Sequence, residues 1–185
     1  DDENSFFINH AFFITTIRHP VMYTEVSGLY ESGNASEPVV SKGFDTYVQL
    51  HIQSWEIYCG YTYTIAEKTY LETNKFIPLT PRNRAAFTLV KEWDDSWRFG
   101  LEGSYTGRQH RFDYSYTPGF LFMAAMIEHR FGEHFSVVLN GENLLDYRQS
   151  KEEALFTGSI SDPQFKPLWA PIDGRVINLS VRLKL

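Results

Sequence analysis

A chain of 185 residues with a formal charge of −6 has no basic excess for holding a nucleic-acid backbone, and none of its apolar runs nears the roughly 20 residues of a membrane helix. Its aromatic share is 16%, with 15 Phe and 11 Tyr, a composition typical of long strands or interfacial belts. The single cysteine, Cys59, excludes an internal disulfide or a thiolate metal cluster, and its neighbours Tyr58 and Tyr61 supply no activating cation.

Asp1, Asp2 and Glu3 have neither the cationic start nor the apolar run of a secretory signal, so either the signal was removed or the chain begins within a longer protein. From there, alternation with a period of two predicts about eight strands, over 5–18, 42–52, 54–68, 82–93, 96–110, 119–131, 134–147 and 174–185. The first carries aromatics on both faces. Residues 54–65 set Trp55, Ile57, Cys59, Tyr61, Tyr63 and Ile65 against Ser54, Glu56, Tyr58, Gly60, Thr62 and Thr64. Residues 96–107 set Trp97, Phe99, Leu101 and Tyr105 against Ser96, Arg98, Glu102, Ser104 and Thr106. In 119–131, Phe120 and Phe122 fall opposite Leu121 and Ile127. The last run sets Ile177, Leu179, Val181, Leu183 and Leu185 against Asn178, Ser180, Arg182 and Lys184.

Two kinds of connection alternate along the chain. Gln53-Ser54, Asp94-Asp95 and Gly132-Glu133-His134 read as tight turns, whereas 19–41, 69–81, 111–118 and 148–173 are long. Short and long connections therefore lie at opposite ends of the sheet, the asymmetry of outer-membrane barrels with periplasmic turns and extracellular loops. Alternation also fits a soluble lipocalin-like barrel with its apolar face inward. Predicted strands of about 11–15 residues favour the membrane, where tilted strands need at least 9–11. So does a row of large rings at the short-turn end, Trp55, Trp93, Trp97, Phe131 and Phe135, which reads as a lipid-interface girdle. Lys91 has lipid-facing parity but lies near that row, where its ammonium can reach water.

The opposite face carries Asp45, His51, Glu56, Arg82, Arg84, Arg98, Glu102, Arg108, Glu142, Arg182 and Lys184. A closed eight-stranded barrel would have to pair nearly all of these in a dry core, whereas a wide barrel solvates them. Strand count alone permits either.

For chemistry, the six histidines at 10, 19, 51, 110, 129 and 134 show no metal-ligand spacing, Glu56 and Glu102 form no acid–base pair, and Ser159 and Ser161 lie in no nucleophile elbow. No catalytic residue and no metal site is predicted. Arg108, His110, Arg111, Phe112, Tyr114 and Tyr116, at a strand end and loop, mix cations with stacking surfaces and suit an anionic or aromatic ligand, with Arg82 and Arg84 at the same level. The same residues also fit ordinary girdle and loop roles. Trp169, with Phe156 and Phe165 in the 148–173 loop, could cover a ligand or pack against other loops.

Several segments resemble one family. Lys42-Gly43-Phe44-Asp45 is similar to the step that opens a late strand in TonB-dependent receptors, and Pro78-Leu79-Thr80-Pro81-Arg82-Asn83-Arg84-Ala85 to the approach to their next strand. Asn140-Gly141-Glu142-Asn143-Leu144-Leu145-Asp146-Tyr147 resembles their penultimate strand, and Gly174-Arg175 with the alternation after it resembles the closing one. Leu168-Trp169-Ala170-Pro171-Ile172-Asp173-Gly174-Arg175 is similar to the approach seen in members from Bacteroidetes.

The resemblance implies an all-β, antiparallel transmembrane barrel of about 22 strands around a plug, with residues 1–185 as its last eight strands, in the bacterial outer membrane. It implies energy-coupled import and no enzyme activity. An iron chelate (siderophore or haem) is the first expected ligand, with cobalamin and glycans behind it. The implied partners are outer-membrane lipid, the plug of the same receptor, TonB through an N-terminal region, the small-molecule ligand and a surface lipoprotein; no cofactor and no nucleic acid is implied. The sequence departs from the family in lacking a plug-like segment or energy-coupling box near Asp1, and in ending on Leu185 where outer-membrane proteins commonly carry an aromatic. Two other readings stay open: a self-contained eight-stranded outer-membrane barrel with a structural or adhesive role, and a soluble β-barrel carrier.

Overall fold

The computed structural model describes residues 4–184. Eight strands build one antiparallel sheet: β1 (Asn4–Ile17), β4 (Val39–Ile52), β5 (Trp55–Lys68), β6 (Asn83–Trp93), β7 (Trp97–Thr106), β8 (Phe120–Phe131), β9 (Phe135–Glu142) and β12 (Val176–Leu183), paired in that order. Two hairpins stand apart, β2 (Val21–Val26) with β3 (Leu29–Asn34), and β10 (Phe156–Ser159) with β11 (Asp162–Phe165); a single helical turn, α1 (Gln149–Glu152), precedes the second.

Register carries the predicted alternation across every strand boundary. The row Ile8, Val48, Cys59, Phe87, Gly103, Met123 runs through successive Cα partners, as does the row Phe99, Ile127, Leu139, Leu179. All members of each row share one face, because side chains directly opposite in a ladder point the same way. Asp45, His51, Glu56, Arg84, Arg98, Glu102, Glu142 and Arg182 fall on the other face, as expected. Leu185, assigned to the apolar face by alternation, lies outside the described residues, as do Asp1, Asp2 and Glu3.

The apolar face is not folded inward. Among the described residues only Ala35, Ala66 and Trp169 are buried apolar side chains, while Phe12, Ile14, Leu121, Leu179 and Val181 stay exposed on the apolar face. A water-soluble domain of this size would bury far more. Nor does the sheet close on itself: among the described residues β1 pairs only with β4, and β12 only with β9. A self-contained eight-stranded barrel needs β1 and β12 to pair, and their described residues do not.

Several boundaries differ from those read in the sequence. The fourth strand starts at Val39, three residues before the expected 42, because Val39 and Val40 pair with Lys68 and Glu67 on one side and with Ile17 and Thr16 on the other. The strand expected over 96–110 stops at Thr106, and His110 makes only an isolated bridge to Tyr116. The strand expected to reach 147 stops at Glu142, where Asn143 turns into the left-handed region at φ 47. The long connections 19–41 and 148–173 contain the two hairpins. The turn at Asp94-Asp95 takes in Ser96, since Trp93 pairs with Trp97.

Candidate functional site

At the long-connection end, two clusters occupy opposite sides of the segment 107–119. The first is a column of rings and guanidiniums. Arg82 lies over the Phe76 ring at 4.4 Å, Phe76 stacks on His110 at 4.5 Å, His110 meets Tyr116 at 4.4 Å, and Arg108 caps Tyr116 at 4.8 Å. The ladder explains the placement: Arg84 pairs with Thr106, and Gly107 N–H donates to the Asn83 carbonyl at 2.8 Å, which carries the register on to Arg82 opposite Arg108. Burial, and then the charge of Arg82, hold the His110 imidazole below its ordinary pKa, so it is neutral at pH 7.

None of the ion pairs among the described residues involves Arg82, Arg84 or Arg108. Asp45 is engaged with the Thr62 hydroxyl, which donates to it at 2.6 Å. Three guanidiniums thus crowd one rim with no carboxylate in ion-pair contact among the described residues, the nearest acids on this side being Glu67 and Glu72 of the neighbouring recess. Beside the column lies an open recess of about 380 Å³ lined by Glu67, Glu72, Lys75, Phe76, Tyr114 and Tyr116 among others.

Arg111 and Trp169 belong to the second cluster. Trp169 is 7% exposed and is held from every side. Its indole Nε1 donates to Glu153 at 2.6 Å, its backbone N–H donates to the Gln149 side-chain oxygen at 2.9 Å, and its carbonyl accepts from the Gln109 amide at 3.3 Å. Glu153 also accepts from Arg111 at 2.9 Å and from Lys166 at 3.0 Å. Burial raises the Glu153 pKa, but these donors outweigh it and hold the carboxyl below its ordinary value. This cluster is a knot between loops, and it borders a recess of about 240 Å³ lined by Leu79, Phe112, Asp113 and Pro167 as well. Of the eight candidate ligand residues, Arg82, Arg108, His110 and Tyr116 come together in the column, Tyr114 borders it, Arg84 stands one step along the rim, and Arg111 and Trp169 are drawn away.

At the other end, Trp55, Trp93, Trp97, Phe131 and Phe135 share the apolar face beside the short turns. Trp93 and Trp97 are direct partners, the Phe131 and Phe135 rings are 5.3 Å apart, and Lys91 lays its ammonium 4.9 Å from the Trp55 ring centre. His129, which alternation alone did not single out, fills the row between Trp97 at 4.1 Å and Phe131 at 4.3 Å.

Sequence reasoning also missed why Asn143-Leu144-Leu145-Asp146-Tyr147 and Gly174-Arg175 belong together. Asn143 donates to the carbonyls of Tyr147 at 2.9 Å and Asp173 at 3.0 Å and accepts from Tyr147 N–H at 3.0 Å. Arg175 returns two donors to the Leu144 carbonyl, at 3.1 and 2.8 Å. The two motifs form one clasp that aims the chain into β12. Phe76, Gln149 and Glu153 were missed too, and nothing in their local sequence pattern marks them.

The family model described as "TonB dependent receptor-like, beta-barrel" matches residues 1–144 of the 185. The chain belongs to that family. No curated protein matches the sequence. Among solved structures this TonB-dependent receptor segment is similar to the ferric-catecholate import receptor Fiu of E. coli K12 in its closed form, at TM-score 0.61 and 21% identity over 77% of this chain and 21% of that one. It is similar to the pyoverdine outer membrane receptor FpvA of Pseudomonas aeruginosa PAO1, at TM-score 0.69 and 13% identity over 95% and 27%. It is also similar to the copper transporter OprC, at TM-score 0.69 and 15% identity over 100% and 29%. At these identities the likeness is one of fold, and the chain spans about a quarter of each of those solved chains. A TonB-dependent receptor of the bacterial outer membrane is not an enzyme, and in such a barrel the apolar face meets lipid while the polar face lines the lumen.

Proposed function

We infer that residues 1–185 form the last eight strands of a plugged barrel that imports an anionic nutrient, an iron chelate such as a siderophore or haem, with energy delivered by TonB through the rest of the receptor. The observation that carries this reading is the unpaired trio Arg82, Arg84 and Arg108 at the long-connection rim, set against the rings of Phe76, His110 and Tyr116. Guanidiniums bind carboxylate, catecholate or other anionic oxygens, and the rings add stacking area. Short turns then face the periplasm and long loops the outside. Trp55, Trp93, Trp97, Phe131 and Phe135 serve as the periplasmic girdle. The exposed apolar residues Tyr23, Leu29 and Tyr30 of the β2–β3 hairpin suit contact with a surface lipoprotein. By their names, Fiu is an import receptor for ferric catecholates, FpvA a receptor for pyoverdine and OprC a copper transporter.

The test is calorimetric titration of the full-length receptor in detergent against ferric siderophores and haem at low and high salt. Arg84→Gln combined with Arg108→Gln is expected to weaken binding at least about tenfold and to flatten its salt dependence. Tight binding that neither salt nor the double variant alters would sink the anionic-ligand reading.

A further inference from the structure

We propose that His110 takes up a proton as the rim takes up its anion, so that ligand capture tightens as the surroundings turn acid. This deepens the reading of the rim as an anion-binding site, and rests on it.

In the column the order of groups is cation, ring, imidazole, ring, cation. His110 lies between Phe76, stacked at 4.5 Å, and Tyr116, tilted at 4.4 Å. Beyond each ring stands a guanidinium, Arg82 at 4.4 Å from the Phe76 centre and Arg108 at 4.8 Å from that of Tyr116. The two rings already lend a face to a cation. An imidazolium between them would be the third positive charge in one stack, where neither guanidinium has an ion-pair partner among the described residues. Burial, and then the Arg82 charge, hold the His110 pKa below its ordinary value, so the ring of the free site is neutral at pH 7.

A bound anion inverts that balance. The His110 side chain makes no hydrogen bond among the described residues, and neither ring nitrogen is sealed from solvent. The ring lines the open recess of about 380 Å³ beside the column. An anion drawn in by Arg82 or Arg108 and seated in that recess faces the imidazole edge. A neutral imidazole offers it one N–H donor, whereas the imidazolium offers two and a charge. An opposite charge at such range favours the charged ring by a factor of about 10–1000. The proton comes from solution and offsets one negative charge of the ligand. By linkage, affinity then rises by up to about tenfold for each pH unit of acidification between the free-site and bound-site pKa of the ring.

Other titratable groups face the same recess: Glu67 from β5, Glu72 and Lys75 from the 69–81 connection, and Tyr114 and Tyr116 from the turn that follows His110. A variant without the imidazole separates the histidine from all of these.

The test uses the full-length receptor in detergent and pyrenetetrasulfonate, a planar aromatic anion whose charge is constant in the range used. Calorimetry at about pH 5.5 and about pH 7.5 reads affinity, and titration at about pH 6.5 in two buffers of different ionisation heat reads the protons taken up. The unmodified receptor is expected to bind at least about fivefold more tightly at the acid pH and to take up about half a proton or more per ligand. His110→Phe, which keeps a ring in the stack, is expected to bring the ratio of the two affinities and the proton count close to one and zero, and His110→Gln repeats the comparison if the first variant does not fold. Equal affinities or a proton count near zero in the unmodified receptor would overturn the proposal, as would failure of the probe to bind at either pH. A pH dependence that survives in the variants overturns it too, by assigning the proton to Glu67 or Glu72. Ferric chelates titrated in parallel keep the two readings apart: chelate binding without proton linkage of the probe sinks only this inference, and linkage of the probe without chelate binding sinks only the iron-chelate reading.

Discussion

Asn143 is 2% exposed and closes the turn after β9 with all of its side-chain polar atoms engaged. Removing such a side chain strands buried backbone groups of Tyr147 and Asp173. Asn143→Ala is therefore expected to lower the stability of the full-length receptor by about 1–3 kcal/mol, read from the urea midpoint in detergent by fluorescence. An unchanged midpoint would mean that water replaces the amide freely. The residue was legible as part of a motif but its work was not, because its partners Tyr147 and Asp173 lie 4 and 30 positions away. Gly43 gives the complementary case. A Cβ there would run into the Tyr63 carbonyl and the Phe13 ring, so the glycine of Lys42-Gly43-Phe44-Asp45 marks a close approach of neighbouring strands.

The segment 107–119 keeps a strand-like parity beyond the end of β7, with Arg108 and His110 on one side and Gln109 and Arg111 on the other. Each side ties down a different neighbouring loop, 69–81 through the column and 148–173 through the knot. The two ties differ in their response to acid. His110 has a lowered pKa, so its contribution is present above the ordinary value of 6.5 and is lost as pH falls through the folded-state value. Glu153 is also lowered, from 4.5, so its contribution persists to more acid pH and is lost as pH falls through its own folded-state value. A spin label at Asn74→Cys should therefore gain mobility as pH falls below about 6.5, while one at Gln164→Cys stays fixed until below about pH 4.5. Simultaneous release of both labels would refute separate ties. The hairpins were not legible for a related reason. Tyr23, Leu29 and Tyr30 of the β2–β3 hairpin are exposed, so the alternation that reports one buried face gave no signal there, and only the left-handed Ser27-Gly28 turn marks the reversal.

At the scale of the molecule, one layer of strands replaces a core. β4 and β5 run 14 residues each, about 46 Å at 3.3 Å per residue, and at a tilt near 45° they rise about 33 Å, past an apolar band of about 25 Å. Cys59 sits in mid-strand on the lipid side, between Val48 and Phe87. In a receptor reconstituted in liposomes with Cys59 as the sole cysteine, a charged maleimide should leave it unlabelled, whereas a cysteine placed at Glu102, across the sheet plane, should react at least about tenfold faster. Equal rates would contradict the orientation of the faces. That orientation was legible because a period of two survives from sequence to structure without help from distant contacts, and the loop clusters were not because they depend on them. The unbroken register has a consequence for how such a chain can change. One residue gained or lost inside any strand from β4 to β9 would swap lipid-side and water-side groups along the remainder of that strand. At the tip of β10–β11, where Ile160 is 92% exposed, extra residues disturb no pairing in the wall. Drift in length is confined to the loop tips, where the outside surface can be rewritten while the spacing of the wall is kept.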